Sequence, residues 1–94
     1  MDFEWDPAKN EANIEKHGID FCGAQTIWDG EVVTFQSQQH HHGEKRYLAI
    51  GLYKGREIAV VFTWRHQAIR LISARRARKN EREIYWKSIG SNRS

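Results

Sequence analysis

Ninety-four residues, 39% of them apolar and 29% charged, support one hydrophobic core and exclude a disordered, collagen-like or multidomain chain. No apolar run approaches the roughly 20 residues of a bilayer span, and the acidic N-terminus predicts no secretory leader; with the single Cys22, which excludes an internal disulfide, this predicts a cytoplasmic protein without membrane contact. The formal charge of +3 is unevenly split, with nine acids against four bases in residues 1–47 and eleven bases against three acids in residues 48–94, so the second half reads as an anion-binding surface or a solubilising basic face.

Asp6 before Pro7 predicts a helix start, with the carboxylate capping free amides and proline in the first helical position. The helix runs over Ala8–Lys16 and stops at Gly18, and its poor apolar stripe (Ala8, Ala12, Ile14) means that tertiary contacts must hold it. A second helix, capped by Asp20, is expected from Phe21 to Trp28, with Cys22 as a small buried apolar residue. Strands then follow: Val32–Phe35, a polar stretch Gln36–Glu44 containing His40–His42, and Lys45–Tyr53. Lys54-Gly55 gives a tight hairpin into Arg56–Trp64, a strand apolar enough on both sides to be central. After a turn at Arg65–Gln67 come a strand over Ala68–Ala74, a helix from about Arg76 to Ser88, and a frayed tail, Gly90–Ser94. The reading is an α+β domain with two N-terminal helices, a small antiparallel sheet of three to four strands and a C-terminal helix.

Phe3-x-Trp5-Asp6-Pro7-x-Lys9, Asn13, Lys16-His17-Gly18-Ile19-x-Phe21, Arg46-Tyr47-x-x-Ile50-Gly51, Val61-x-Thr63, Arg70-x-Ile72-Ser73-Ala74-Arg75-x-Ala77 and Glu81-Arg82-x-x-Tyr85 resemble the BrnT family. The resemblance runs from Phe3 to Tyr85. It implies a ribonuclease toxin of a type II toxin–antitoxin system, a RelE-like fold, and residues 1–94 as a single toxin domain. It also implies an RNA substrate, translation arrest, and a cognate antitoxin with a ribbon-helix-helix DNA-binding region, the complex sitting on operator DNA. The runner-up function is a non-catalytic nucleic-acid- or partner-binding domain on the same fold.

RNA carries its own nucleophile, the 2′-OH, so cleavage needs proton transfer and stabilisation of phosphate charge but no cofactor and no metal. The favoured phosphate-binding set is Arg46, Arg70 and Arg75, since an arginine fork matches two phosphate oxygens and keeps its proton. Glu57 is a candidate base or a salt-bridge anchor. His17 is a candidate proton shuttle or a cap on the last carbonyls of its helix. Arg65, Arg78, Lys79 and Arg82 are expected to bind RNA, with Arg75, Arg78, Lys79 and Arg82 recurring at three- and four-residue spacing as one basic ridge. Glu81 is expected to lean inward and fix an arginine rotamer. His40–His42 invites adventitious metal affinity, because consecutive residues on an extended segment diverge and nothing completes a tetrahedral set.

Overall fold

A computed structural model describes residues 1–41 and 43–92. Its first helix, α1 (Pro7–His17), forms where the punctuation demands: Asp6 accepts a bond from the Ala8 amide at 2.9 Å, and Gly18 ends the helix at φ +71°. What α1 buries is Asn13 rather than an apolar stripe; Ile14 remains 36% exposed. Helix α2 is shorter than its pattern predicts, Phe21–Ala24 capped by Asp20, and continues as a 3₁₀ turn over Gln25–Asp29. Cys22 is exposed, correcting the expectation of a buried thiol: the first turn points it outward while Phe21 and Ala24 face the core.

The sheet has five strands, not three or four, in the order β1-β5-β4-β3-β2: β1 (Phe3–Glu4), β2 (Val33–His41), β3 (Glu44–Tyr53), β4 (Arg56–Arg65) and β5 (Ala68–Arg76). Two differences from the expected sheet have a common cause. Backbone pairing, not side-chain polarity, extends β2 through the polar stretch as an edge strand on β3, and a two-residue β1 pairs with β5 in parallel. The start of β2 falls in the expected strand Val32–Phe35, but its polar continuation and β1 carry no apolar alternation. Helix α3 (Lys79–Asn92) starts three residues later than expected because β5 holds the chain through Arg76 on β4. It also continues past Gly90; Arg93 and Ser94 of the expected frayed tail lie outside the described residues. The metal reading of His40–His42 likewise rests on side chains outside them.

The sheet is covered on both faces. On one face Phe21, Ala24 and Ile27 pack against Val60, Phe62 and Leu71; on the other Tyr85 and Ile89 of α3 pack against Ile50 and Ala59. A β-bulge governs what β5 presents. Phe62 faces Leu71 while the next residue back on β4, Val61, faces Ser73, so Ile72 is the unpaired extra residue. Arg70 and Arg75, five positions apart, should point to opposite faces of a regular strand. The inserted residue resets the alternation and brings both to the α3 face, leaving Ile69, Leu71 and Ala74 in the opposite core. Next to the bulge, the Asn13 side-chain amide donates to the Ala74 carbonyl at 2.9 Å and accepts from the Ala74 amide at 3.0 Å. It completes the edge of β5 beyond the point where β1 ends, and a further bond to the Ile19 carbonyl at 2.8 Å ties in the chain after α1.

Candidate functional site

Helix α3 covers only part of its face. Beyond it runs a half-buried cross-strand row: Thr63 of β4 lies opposite Arg70 of β5, which lies opposite Glu4 of β1. Arg46 of β3 joins this row by alternation, two residues before Leu48, which faces Val61. The next rows bring Ser73 opposite Val61 and Arg75 opposite Ala59. Alternate residues on a strand advance by about 6.8 Å, so the Arg46 and Arg75 rows stand about 14 Å apart. That span suits a stretch of polynucleotide backbone rather than one anion. Between them a cavity of about 460 Å³ is lined by Phe35, Gln36, Gln38, Leu48, Val61, Arg75 and Arg78.

The three arginines differ in their electrostatic state. Arg70 donates to the Glu4 carboxylate at 2.7 Å across the β5–β1 edge. Arg75 is held in a two-pronged pair with Glu81 at 2.8 and 2.9 Å, a geometry that fixes the guanidinium plane. Glu81 is 6% exposed and also accepts the Arg78 amide at 2.7 Å, the backward-reaching half of a capping box at the start of α3. The hydrogen bonds from Arg75 hold the Glu81 carboxyl below its ordinary range against the opposing cost of burial, and the Arg75 guanidinium is correspondingly harder to deprotonate. Arg46 is different: its buried Nε has no hydrogen-bond partner among the described residues, and the nearby Glu44 carboxylate, at 4.0 Å, is beyond hydrogen-bond reach.

Glu57 shares this face, as its strand parity predicts, but lies at the other end of β4. Its carboxylate accepts the Trp86 indole N–H at 2.6 Å, and that bond, followed by its own backbone amide and the charges of Arg76 and Arg82, draws its pKa down. His17 is exposed at the end of α1, on the opposite side of the sheet from Arg46, Arg70 and Arg75. Arg65 is exposed at the end of β4. Of the expected basic ridge, Arg75 lies near the end of β5, as expected, Arg78 precedes α3, Lys79 opens the helix and Arg82 bonds the Ala77 carbonyl at 2.6 Å. Sequence reading did not give Glu4 or Asn13 a part in the site. Asn13 had one signal, a poor helix former in mid-helix; Glu4 had none, because its partner lies across a strand pair that the pattern does not announce. Among the described residues no three His, Cys, Asp or Glu side chains converge on a point that could hold a metal ion.

Residues 5–81 match the model of the family described as the ribonuclease toxin, BrnT, of type II toxin–antitoxin systems. The chain belongs to the BrnT family. No curated protein matches it significantly. As a BrnT-family toxin it has a cognate antitoxin as its partner and a ribonuclease activity to be restrained. No helix among the described residues is long and apolar enough to cross a membrane.

Proposed function

We propose that this BrnT-family chain is a metal-independent endoribonuclease, a single toxin domain over residues 1–94 of the RelE-like kind. It would act in the cytoplasm on RNA laid across the open part of the α3 face. The observation that carries this reading is the row that sets Arg46 beside Thr63, Arg70 and Glu4 on one face, with no hydrogen bond from the Arg46 Nε among the described residues. The Arg46 side chain keeps 22% of its surface exposed, and through that part its fixed charge is available to a phosphate oxygen. Arg46 is the principal phosphate receptor; Arg70 and Arg75, held by Glu4 and Glu81, orient and stabilise the same backbone. Arg65, Arg78, Lys79 and Arg82 carry the flanking strand.

In the reaction the 2′-oxygen attacks the adjacent phosphorus, the bond from phosphorus to the 5′-oxygen breaks, and the leaving oxygen takes up a proton from water. Charge accumulates on the non-bridging oxygens, where an arginine fork is worth most. Glu4 is the acid in the arginine row and takes the 2′-hydroxyl proton; its bond to Arg70 uses Oε2. Glu57, tied to Trp86 and drawn down in pKa, is a weaker base and serves as an anchor. His17 stands across the sheet from the arginine row and takes no part in this reaction. The face is also a cationic trap for polyphosphates, and an antitoxin with a ribbon-helix-helix region would cover it, the complex docking on operator DNA.

Cleavage should persist in EDTA and leave a 2′,3′-cyclic phosphate and a 5′-hydroxyl, and an all-DNA strand should remain intact. Arg46→Ala should lower turnover by about 10²–10³-fold with the fold unchanged. A 5′-phosphate product or loss of activity in EDTA would overturn the scheme. Binding of RNA without scission by the wild-type chain would leave only the non-catalytic reading.

A further inference from the structure

A second group of cations without carboxylate partners lies away from the α3 face. At the far end of the opposite face, His17, Tyr53, Lys54, Arg56 and Arg76 surround a cavity of about 370 Å³ floored in part by Ile58. The register builds it: Tyr53 pairs with Arg56 across the β3–β4 hairpin, Arg76 lies opposite Ile58, and Gly18 turns the chain so that the end of α1 closes the side. The Tyr53 ring is pinned against α2, because Gly23 has no side chain; a Cβ there would stand 2.5 Å from the tyrosine hydroxyl.

The contrast with the other face is electrostatic. Arg70 and Arg75 each hold a carboxylate, whereas no acid lines this cavity and the side chains of Lys54, Arg56 and Arg76 make no hydrogen bond or ion pair among the described residues. Glu57 feels the charge of Arg76 from across the sheet, but its carboxylate is engaged by Trp86. The Lys54 ammonium lies 5.3 Å from the Tyr53 ring centroid, so charge and aromatic surface are already combined. Three uncompensated cations around one hollow repel each other, and an anion relieves them. Arginine forks favour phosphate among anions, and an adjoining tyrosine ring offers a surface to a base. A volume of a few hundred Å³ suits a ligand of nucleotide size better than a bare ion.

We propose that this cavity is a second nucleotide-phosphate site, separated by the sheet from the arginine row of the α3 face. The phosphate belongs either to a free mononucleotide or to the backbone of a bound RNA strand. Amide and imidazole NMR spectra of the full chain, titrated with inorganic pyrophosphate, adenosine monophosphate and a 2′-O-methylated RNA strand, decide between them. Saturable shifts should centre on Lys54, Gly55, Arg56, Arg76 and the His17 ring. The double variant Lys54→Asn/Arg56→Gln should weaken that binding about tenfold or more. Asparagine is chosen because Lys54 sits at φ +53°, a left-handed conformation that it tolerates. Arg46→Ala should leave these shifts unchanged, so failure of the cleavage scheme and failure of this site read separately. Saturation by adenosine monophosphate assigns a free nucleotide, and saturation by the RNA strand alone assigns its backbone; either supports the site. Shifts that are absent, never saturate, or survive the double variant overturn it, as does displacement of the nucleotide by a glutamate-rich peptide.

Discussion

Replacing Glu81 by glutamine isolates what the buried pair with Arg75 contributes. The substitution keeps the shape and one acceptor, removes the charge, and leaves a guanidinium that had two bonds at 2.8 and 2.9 Å with a neutral partner. Removing one member of a buried ion pair costs about 3–5 kcal/mol. The Arg75 side chain retains 20% exposure, so water re-solvates part of the cation and the expected loss falls to about 2 kcal/mol. In a domain of this size that lowers the melting temperature by roughly 8–16 °C. The pH dependence gives a second, independent reading. Pairing holds the Glu81 carboxyl below its ordinary value of 4.5, so its contribution is fully present above that pH and is lost as pH falls through the depressed folded value. Glu81→Gln should therefore be less stable than wild type near neutrality and should lose less on acidification from about pH 5 to about pH 3. Thermal unfolding followed by circular dichroism across that range measures both effects. Equal melting temperatures near neutral pH with superimposable acid limbs would refute the assignment of Glu81 as the group that holds Arg75.

Asn13→Ala should destabilise by about 2–3 kcal/mol in urea unfolding, because it leaves the Ala74 amide and carbonyl and the Ile19 carbonyl without their partner; a loss below about 0.5 kcal/mol would mean that water replaces the amide. Gly51→Ala should cost about 1–3 kcal/mol, since a Cβ there would stand 2.7 Å from the Ile27 Cβ inside the core; an unchanged urea midpoint would contradict that close approach. Trp86→Phe should raise the Glu57 carboxyl midpoint in an NMR titration, because the indole N–H bond is the largest influence drawing it down, and an unmoved midpoint would shift that role to its own backbone amide and to Arg76 and Arg82. Arg46→Lys should fail to restore the cleavage lost in Arg46→Ala, since a point charge lacks the fork; full rescue would leave Arg46 as a mere source of positive field.

Much of the local structure was legible in the sequence because local chemistry dictates it. Asp6-Pro7, Asp20 and Gly18 bound their helices through capping and backbone conformation, which need no distant partner. The alternation of Arg56–Trp64 gave a central strand and put Glu57, Val61 and Thr63 on one face, because a strand's period is 2 wherever its pairing is regular. The basic second half and the family resemblance likewise depend only on which residues are present. The site's geometry was not available in this way. Whether Arg70 and Arg75 act together turns on one unpaired residue, Ile72, and a bulge arises from how β5 packs and pairs, not from its own composition. His17 reads as a neighbour of the arginines in a motif list, yet the sheet stands between them. Glu4 and Asn13 reach Arg70 and Ala74 over separations of 66 and 61 residues. Such contacts carry no periodic signal along the chain; only the closing of β1 and α1 against the edge of β5 creates them.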